Sequence, residues 1–366
     1  MDIAWEELKT WKKSSYLLVD TRGKTAYGHG HIPGAVCLED VKIEELAASK
    51  ILVFYCTYGE KSRETAQSFQ KKGISCRNLT GGYRSWLWAE NEELSREEVS
   101  RYDRQIILPQ VGIEGQKKLK HASVLIIGAG GLGAPAALYL AGAGVGRIGI
   151  MDADAVSCSN LQRQIIHSMD REQQNKALSA KETMEKLNDM IQVTAYPEFL
   201  TPENAEEIIS DYDFVLDAVD NFETKFLIND VCVLLEKPFC HGGILRFEGQ
   251  VMTYVPGEGP CYRCVFEEIP SPGQVQNCSE AGVIGAIAGI IGSIQALEAI
   301  KYLLGIGELL TGKIYVMDGL KMKSRIISIG GKNPACKVCG KSPVIRSIKE
   351  NEGEYHLPLR CVSYTR

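Results

Sequence analysis

Short apolar runs that end at polar residues alternate along the chain with stretches of helical periodicity. Residues 16–19 form such a run before Asp20, and Ile51–Tyr55 forms another before Cys56. Further apolar runs lie at 123–127, 148–151, 213–219 and 249–255. Apolar residues with helical spacing lie at 62–72, 132–141 and 176–188. Thr201 and Pro202 predict the start of a further helix. Buried strands that alternate with amphipathic helices predict an α/β protein with doubly wound, mostly parallel sheets.

A charged stretch separates a small unit from a larger one. Residues 91–100 carry few large apolar side chains, which is typical of a linker. We therefore predict domains at 1–92 and 97–340, and we assign no role to 341–366. The apolar run at 283–294 is too short to span a bilayer and is predicted to be a buried helix.

The composition is that of a soluble globular protein. Of 366 residues, 45% are apolar and 24% are charged, and the net charge is −5. This charge argues against a nucleic-acid partner, and the first 13 residues lack the apolar core of a signal peptide. We expect a cytoplasmic protein without a membrane partner. Twelve cysteines in a reducing cytosol then indicate metal binding and thiol chemistry.

A glycine-rich turn follows the run at 123–127 and precedes a predicted helix. Its four glycines are Gly128, Gly130, Gly131 and Gly133. Glycines let the backbone approach a phosphate closely, and the helix start offers free N–H groups. Asp152 ends the next strand about 20 residues further on, where an acid binds ribose hydroxyls. By itself this signature favours a dinucleotide-binding oxidoreductase.

Cations and carboxylates that follow the next strands favour a nucleoside triphosphate, rather than a dinucleotide, as the ligand. Arg163 lies in the segment 159–164, directly after the acidic strand end, and Lys176 follows. Such cations offset the charge of an α-phosphate and of leaving pyrophosphate. Asp217, Asp220 and Asn221 end the strand at 213–219, on the ligand edge of a parallel sheet, where a carboxylate suits Mg²⁺.

Two Cys-x-x-Cys pairs supply four thiolates. They are Cys261 with Cys264, and Cys336 with Cys339. Four cysteine ligands are typical of a closed structural Zn²⁺ site that ties distant segments together. A redox disulfide is the weaker alternative, because neither pair opens a strand-to-helix turn.

Together these motifs resemble those of the ThiF/MoeB/HesA family, the bacterial relatives of ubiquitin-activating enzymes. The resemblance covers roughly residues 97–340 and rests on 101–105, the glycine turn, 159–164, 217–221 and the cysteine pairs. It implies ATP-dependent adenylation of the C-terminal glycine of a ubiquitin-like sulfur carrier protein ending in Gly-Gly, usually within a homodimer.

The resemblance also implies roles for single residues. Asp152 would bind ribose, Arg163 and Lys176 the phosphates, Asn160 would lie at the same site, and Asp220 would hold Mg²⁺. Arg104 would reach across the dimer to the partner's ATP. Cys278 lies where many members carry a cysteine that forms a thioester or acyl disulfide, while other members work without it. The alternative for Cys278 is a small buried hydrophobic residue.

The first 90 residues resemble a single-domain rhodanese in segments 20–22, 30–35, 56–62 and 81–86. Cys56 opens a short loop into a helix, where loop amides and the helix dipole lower a thiol pKa and stabilise a persulfide. Lys61 and Arg63 add positive charge. Thr57 and Glu60 depart from the arginine-rich loops of rhodaneses, so thiosulfate and a protein-bound persulfide, such as that of a cysteine desulfurase, both stay open as donors.

The combined hypothesis is carrier adenylation followed by sulfur transfer from a Cys56 persulfide, giving a thiocarboxylate for thiamine or molybdenum cofactor biosynthesis. Whether sulfur passes within or between subunits stays open. The alternatives are a ubiquitin-like modifier activator without sulfur transfer, an NAD-dependent oxidoreductase, and a non-catalytic carrier-binding scaffold.

Overall fold

The computed structural model describes residues 1–90, 93–270 and 281–355. The chain divides into two compact units, Met1–Lys117 and Lys118–Arg366. The division falls after the charged stretch at 91–100.

The first unit is built on a five-stranded parallel sheet in the order β1-β5-β4-β2-β3. Its strands are β1 (Asp2–Ile3), β2 (Tyr16–Asp20), β3 (Val36–Cys37), β4 (Ile51–Tyr55) and β5 (Cys76–Leu79). Its helices are α1 (Trp5–Leu8), α2 (Lys24–Gly28), α3 (Ile43–Ala47), α4 (Glu60–Lys71), α5 (Gly82–Glu90), α6 (Arg96–Arg101), α7 (Asp103–Ile106) and the first part of α8 (Gly112–His121). The central strands are apolar and buried on both faces, as parallel strands between helices must be.

The stretch expected to be a linker is folded from Leu94 onward. Ser95 caps α6, because its Oγ accepts the backbone N–H of Glu98 while the Glu98 carboxylate accepts the N–H of Ser95. Leu94 and Val99 are buried in a small apolar cluster with Leu87, Tyr102 and Ile106. The expectation of an open linker missed these two side chains because the surrounding charges dominate the pattern.

The second unit is built on an eight-stranded sheet in the order β13-β12-β11-β10-β9-β6-β7-β8. Its strands are β6 (Ser123–Ile127), β7 (Arg147–Met151), β8 (Gln192–Tyr196), β9 (Phe214–Asp217), β10 (Phe239–Leu245), β11 (Glu248–Tyr254), β12 (Lys313–Asp318) and β13 (Lys323–Ser328). Strands β8, β7, β6, β9 and β10 run parallel, and β11 to β13 continue the sheet antiparallel. The α/β, mostly parallel fold class is confirmed.

The helices of this unit are α9 (Gly133–Ala143), α10 (Lys176–Leu187), α11 (Ala205–Ser210), α12 (Phe222–Leu234), α13 (Tyr262–Val265) and α14 (Gly285–Leu304). The helix start expected at Thr201 and Pro202 is wrong, since α11 begins at Ala205. The Asn204 side chain accepts the N–H of Thr201, at 2.8 Å, and holds the preceding residues in a turn.

Helix α14 extends the apolar run that predicted it. By length and composition alone, it is long and apolar enough to cross a membrane. Half of it is buried within the protein, however, and its buried residues include Gln295 and Glu298. Gln295 donates to the carbonyls of Asp217 and Cys240, and Glu298 accepts from Thr253 and from the N–H of Leu310. The prediction of a buried helix is confirmed.

Residues 341–355, which belong to a segment that carried no expectation, complete the core. Ile345, Ile348 and Tyr355 are buried against α12 and the cysteine pairs. The Tyr355 hydroxyl donates to Asp230 Oδ2 at 2.7 Å, beside a buried ion pair between Asp230 and Arg263. A buried carboxylate requires such partners, so this segment belongs to the fold of the second unit.

Candidate functional site

The carboxyl ends of the parallel strands in the second unit border a cavity of about 420 Å³. It is lined by most of the side chains that the sequence singled out as a nucleotide site. These are Gly128, Gly130, Gly131, Asp152, Arg163, Lys176, Asp220 and Asn221. A volume of this size is in the range of small-molecule pockets.

The glycine turn lies between β6 and α9, as predicted. Gly128 has φ +103°, and a Cβ there would meet the Ala218 carbonyl at 2.6 Å. A Cβ on Gly133 would lie 1.8 Å from the Gly128 carbonyl oxygen. Gly133 is therefore needed for packing of the turn on the helix start, and it does not line the cavity. These contacts leave the backbone of the turn bare for a phosphate to approach.

Asp152 fixes the turn from the end of β7. Its two carboxylate oxygens accept the N–H groups of Ala129 and Asp154, each at 2.9 Å. Burial raises the pKa of Asp152, although the nearby Lys176 and these N–H donors lower it. A carboxylate at this position and aimed at the cavity has free lone pairs for ribose hydroxyls.

The predicted cations are held in place by acceptors. Lys176 is buried at the start of α10, and its Nζ lies 3.0 Å from Asp154 Oδ2. Arg163 Nη2 donates to Asn160 Oδ1 at 3.3 Å. Asn160 thus contacts the cavity residue Arg163 and does not itself line the cavity. Asp154 also lines the cavity, and the sequence reasoning did not single it out.

Lys225 and His241 form part of the cavity wall, and the sequence did not single them out; both contact the buried Asp217. Lys225 Nζ lies 3.1 Å from Asp217 Oδ1 and donates to the Gly242 carbonyl. His241 Nδ1 lies 2.7 Å from Asp217 Oδ2. Burial lowers the pKa of His241 and the Lys225 charge lowers it further, so the ring is neutral and Nδ1 donates. Among described residues, no group pairs with His241 Nε2.

These contacts indicate which of the two carboxylates near the end of β9, Asp217 or Asp220, is available to bind Mg²⁺. Burial raises the pKa of Asp217, but Lys225 and His241 outweigh that effect and hold it below its ordinary value. Asp217 is buried, is paired with Lys225 and does not line the cavity, so it is not placed to bind a metal ion there. Asn221 caps α12 by accepting the N–H of Thr224 at 2.8 Å. Asp220 is exposed and lines the cavity, which suits one carboxylate ligand of a phosphate-bound Mg²⁺.

The four cysteines of the two pairs converge in the second unit. Their Sγ atoms all lie within 4.8 Å of one another. The shortest separations are 3.3 Å for Cys264 with Cys339 and 3.4 Å for Cys261 with Cys339. Tetrahedral Zn²⁺ with thiolate ligands requires S···S separations of about 3.8 Å. The cluster fits Zn²⁺ by ligand type and spacing, and it joins segments 261–264 and 336–339.

Cys56 directly follows β4 in the first unit and is 7% exposed. The N–H of Gly59 donates to its Sγ at 3.1 Å. Burial raises the pKa of Cys56, but hydrogen bonds from the following loop outweigh it and leave the pKa lowered. The Ser62 hydroxyl donates to Asn78 at 2.7 Å, so it can donate to the Cys56 sulfur only when it turns away from Asn78. We therefore attribute the lowered pKa of Cys56 mainly to the backbone N–H groups of the loop. Such a loop stabilises an anionic sulfur.

The positive charge expected beside Cys56 is smaller than predicted. Arg63 forms an ion pair with Asp2, with 2.9 Å between Nη2 and Oδ2, so its charge is offset. Arg104 lies in α7 of the first unit. Cys278 lies outside the described residues.

The fold and the two sites define a class: a Rossmann-like nucleotide-binding unit with a four-cysteine cluster, preceded by a unit with a reactive-cysteine loop. Residues 102–338 match the ThiF family and residues 4–89 match the rhodanese-like domain. The chain belongs to the ThiF family and carries an N-terminal rhodanese-like domain.

Its relatives include the sulfur carrier protein adenylyltransferase of Thermus thermophilus, which is 48% identical over 263 residues, covering 70% of this chain and 97% of that protein. The adenylyltransferase and sulfurtransferase MOCS3 of Anopheles gambiae is 46% identical over 260 residues, or 71% of this chain. The chain spans 59% of the length of that protein.

Two solved structures share the fold. One is E. coli MccB with MccA-N7isoASN, at TM-score 0.59 and 23% identity, covering 77% of this chain and 82% of that one. The other is PaaA, at TM-score 0.57 and 25% identity, covering 74% and 82%.

Proposed function

We propose that this protein uses ATP to adenylate the C-terminal carboxylate of a ubiquitin-like sulfur carrier protein and then transfers sulfur to it from Cys56. The observation that carries the proposal is the joint presence, in one chain, of the nucleotide cavity beside Asp152 and Lys176 and of the amide-lined Cys56 loop. In this proposal residues 97–340 adenylate the carrier and residues 1–92 supply sulfur. The names of the two relatives support both activities.

In the first step, a carboxylate oxygen of the carrier attacks the α-phosphorus of ATP. The bond from that phosphorus to the bridging oxygen breaks, and pyrophosphate leaves. Lys176 and Arg163 offset the charge that develops on the phosphates, and Asp152 holds the ribose. We assign Asp220 as the protein ligand of Mg²⁺, which would neutralise phosphate charge when bound. Asn160 orients Arg163, and Asn221 holds the start of α12 against the cavity.

In the second step, the outer sulfur of a Cys56 persulfide attacks the acyl carbon and AMP leaves. A second thiol then attacks the Cys56 sulfur. The carrier thiocarboxylate departs, and a disulfide forms between Cys56 and that thiol, which an external dithiol reduces. Cys278 is our candidate for the second thiol. The persulfide donor is a thiosulfate or a protein such as a cysteine desulfurase.

We further propose a cytoplasmic homodimer with Zn²⁺ at the four-cysteine cluster, in which Arg104 serves the partner's ATP. The cluster would have a structural role, because Cys261 and Cys336 are buried and hold two distant segments. The thiocarboxylate would enter thiamine or molybdenum cofactor biosynthesis, according to the carrier.

The test is carrier-dependent ATP–pyrophosphate exchange followed by mass analysis of the carrier. We expect exchange with a carrier ending in Gly-Gly, and a mass gain that corresponds to replacement of one oxygen by sulfur. Cys56→Ala should keep exchange and lose the sulfur, whereas the buried Cys37→Ala, a matched control in the same unit, should keep both. A wild-type protein without exchange for any carrier would refute the adenylation, and sulfur gain in Cys56→Ala would refute the role of Cys56.

Mixing two inactive variants tests Arg104. Arg104→Ala and Lys176→Ala should each lose exchange. If the arginine acts across the dimer, re-association of a one-to-one mixture should restore about a quarter of the wild-type rate, because half of the dimers then hold one complete site. An arginine that acts within its own subunit restores nothing.

A further inference from the structure

Asp103 is a buried carboxylate outside both sites, and its contacts reach the Cys56 loop. It starts α7, beside Arg104, and it is 7% exposed. Residue 103 falls within the ThiF-family match, yet it folds in the compact unit of the rhodanese-like domain. A carboxylate buried to this extent requires compensating donors.

Asp103 contacts one side chain of the Cys56 loop and one side chain of a helix that binds this loop. The Tyr58 hydroxyl donates to Asp103 Oδ2 at 2.9 Å, and Arg84 Nε lies 3.3 Å from Asp103 Oδ1. Tyr58 is two residues beyond Cys56. Arg84 lies in α5, whose first turn binds the loop backbone, since the N–H of Arg84 donates to the Thr57 carbonyl.

Tyr58, Arg84 and Asp103 form a cluster whose side chains are packed together as well as paired by charge. The Arg84 guanidinium lies 5.2 Å from the ring of Tyr58 and 5.1 Å from that of Trp88, within the range of cation–π contacts. The side chain of Arg84 is 14% exposed. Low exposure strengthens the attraction between Arg84 and Asp103 and disfavours rotation of either group away from the other.

We infer that Tyr58, Arg84 and Asp103 position the Cys56 loop for sulfur delivery by fixing it to the segment that carries Arg104. The inference rests on the proposed function and names residues that act through Cys56 rather than on the substrate. The persulfide loop and the Arg104 segment then move as one body, so the sulfur is presented in a constant orientation to the activated carrier. Tyr58 also donates its backbone N–H to the Cys56 sulfur, and a change confined to the Tyr58 ring hydroxyl keeps that donor for persulfide loading.

The experiment is a single-turnover reaction of the full chain. Protein that carries a Cys56 persulfide is mixed with ATP and carrier, and thiocarboxylate formation is followed by quenched-flow mass analysis. Tyr58→Phe removes only the hydroxyl that donates to Asp103. We expect transfer to slow by roughly ten-fold, the effect of losing a hydrogen bond to a charged group, while persulfide loading stays at the wild-type rate and the protein stays fully folded at the assay temperature.

Tyr27→Phe is the matched control. Its hydroxyl donates to the Ala35 carbonyl at 2.7 Å in the same unit, away from Asp103. We expect Tyr27→Phe to transfer sulfur at the wild-type rate. We also expect Asp103→Ala and the double variant Tyr58→Phe with Asp103→Ala to be equally slow, because Asp103→Ala already removes the acceptor of the Tyr58 hydroxyl.

Transfer at the wild-type rate in Tyr58→Phe would overturn the inference and leave the proposed function intact. So would an equal loss in Tyr27→Phe, or slower transfer that merely follows a lower unfolding temperature. A wild-type protein that loads Cys56 and adenylates the carrier but never transfers sulfur would overturn the proposed sulfur step, and the inference with it.

Discussion

The neutral imidazole of His167 joins the nucleotide turn to α10, and acid should break that connection. Its Nε2 lies 2.9 Å from the Ala129 carbonyl oxygen, so Nε2 carries the proton and donates. Its Nδ1 lies 2.9 Å from Ser179 Oγ. Burial, together with the charges of Lys176 and Arg171, outweighs the opposing hydrogen bond to Ala129 and lowers the pKa of His167 from 6.5 to about 4.

The sign of the pH effect follows from this pKa. Between pH 6.5 and pH 4 the unfolded chain binds a proton at His167 and the folded protein does not, so the free energy of unfolding falls as pH falls. The stabilisation is fully present above the unfolded pKa and is lost on acidification. The full difference is worth about 3 kcal/mol, of which about 2 kcal/mol is lost between pH 7 and pH 5.

The assay is urea unfolding of wild type and His167→Gln at pH 7 and pH 5. Glutamine keeps a donor for Ala129 and has no titration in this range. We expect the variant to be less stable than wild type by about 1 kcal/mol at pH 7, since one hydrogen bond is altered. At pH 5 it should be the more stable of the two. Parallel pH dependence in both proteins would show that His167 titrates normally and would refute the reasoning.

Three further predictions concern the sites themselves. Asp152→Asn should raise the Kd of ATP about ten-fold or more by calorimetry, because a carboxylate that accepts two N–H groups becomes an amide; unchanged affinity would exclude a ribose contact. Cys264→Ser should lower zinc content, measured by mass spectrometry, from one ion per chain to near zero, together with a lower unfolding temperature; a metal-free wild type would contradict the Zn²⁺ assignment. The rate at which iodoacetamide labels Cys56 should reach half of its maximum at a pH below that of an ordinary thiol, for which the midpoint is about pH 8.5. Buried Cys232, whose pKa is raised, should stay unlabelled in the folded protein. Equal labelling rates for the two cysteines would contradict the effect of the loop on Cys56.

The elements that the sequence predicted well are those with unbroken apolar runs. The strand limits at 51–55 and 123–127 agree with the structure, and those of β2, β7, β9 and β11 agree within two residues. The failures share one cause. At Asn204 and in the charged segment around Leu94, a few side-chain contacts outweigh the local pattern, and those contacts join residues that periodicity cannot relate.

The nucleotide site was predictable where each residue follows at or shortly after a strand end. Asp152 and Asp220 are examples, because chain position alone brings strand ends to one edge of the sheet. Lys225 and His241 were not predictable in this way. Their role depends on Asp217, from which they are separated by a helical turn and by a neighbouring strand, and only the folded register brings the three together. The same holds for Tyr58 and Asp103, 45 residues apart.

The helices after residue 93 have a consequence for exchanging modules between relatives. Leu94, Val99 and Ile106 are buried among side chains of α5, and Asp103 holds Arg84. A chimaera cut at 92 would pair a foreign rhodanese-like domain with a native segment 93–117 that no longer matches it. Such a chimaera should express poorly, whereas a junction after Lys117 transplants the domain with its own supporting helices.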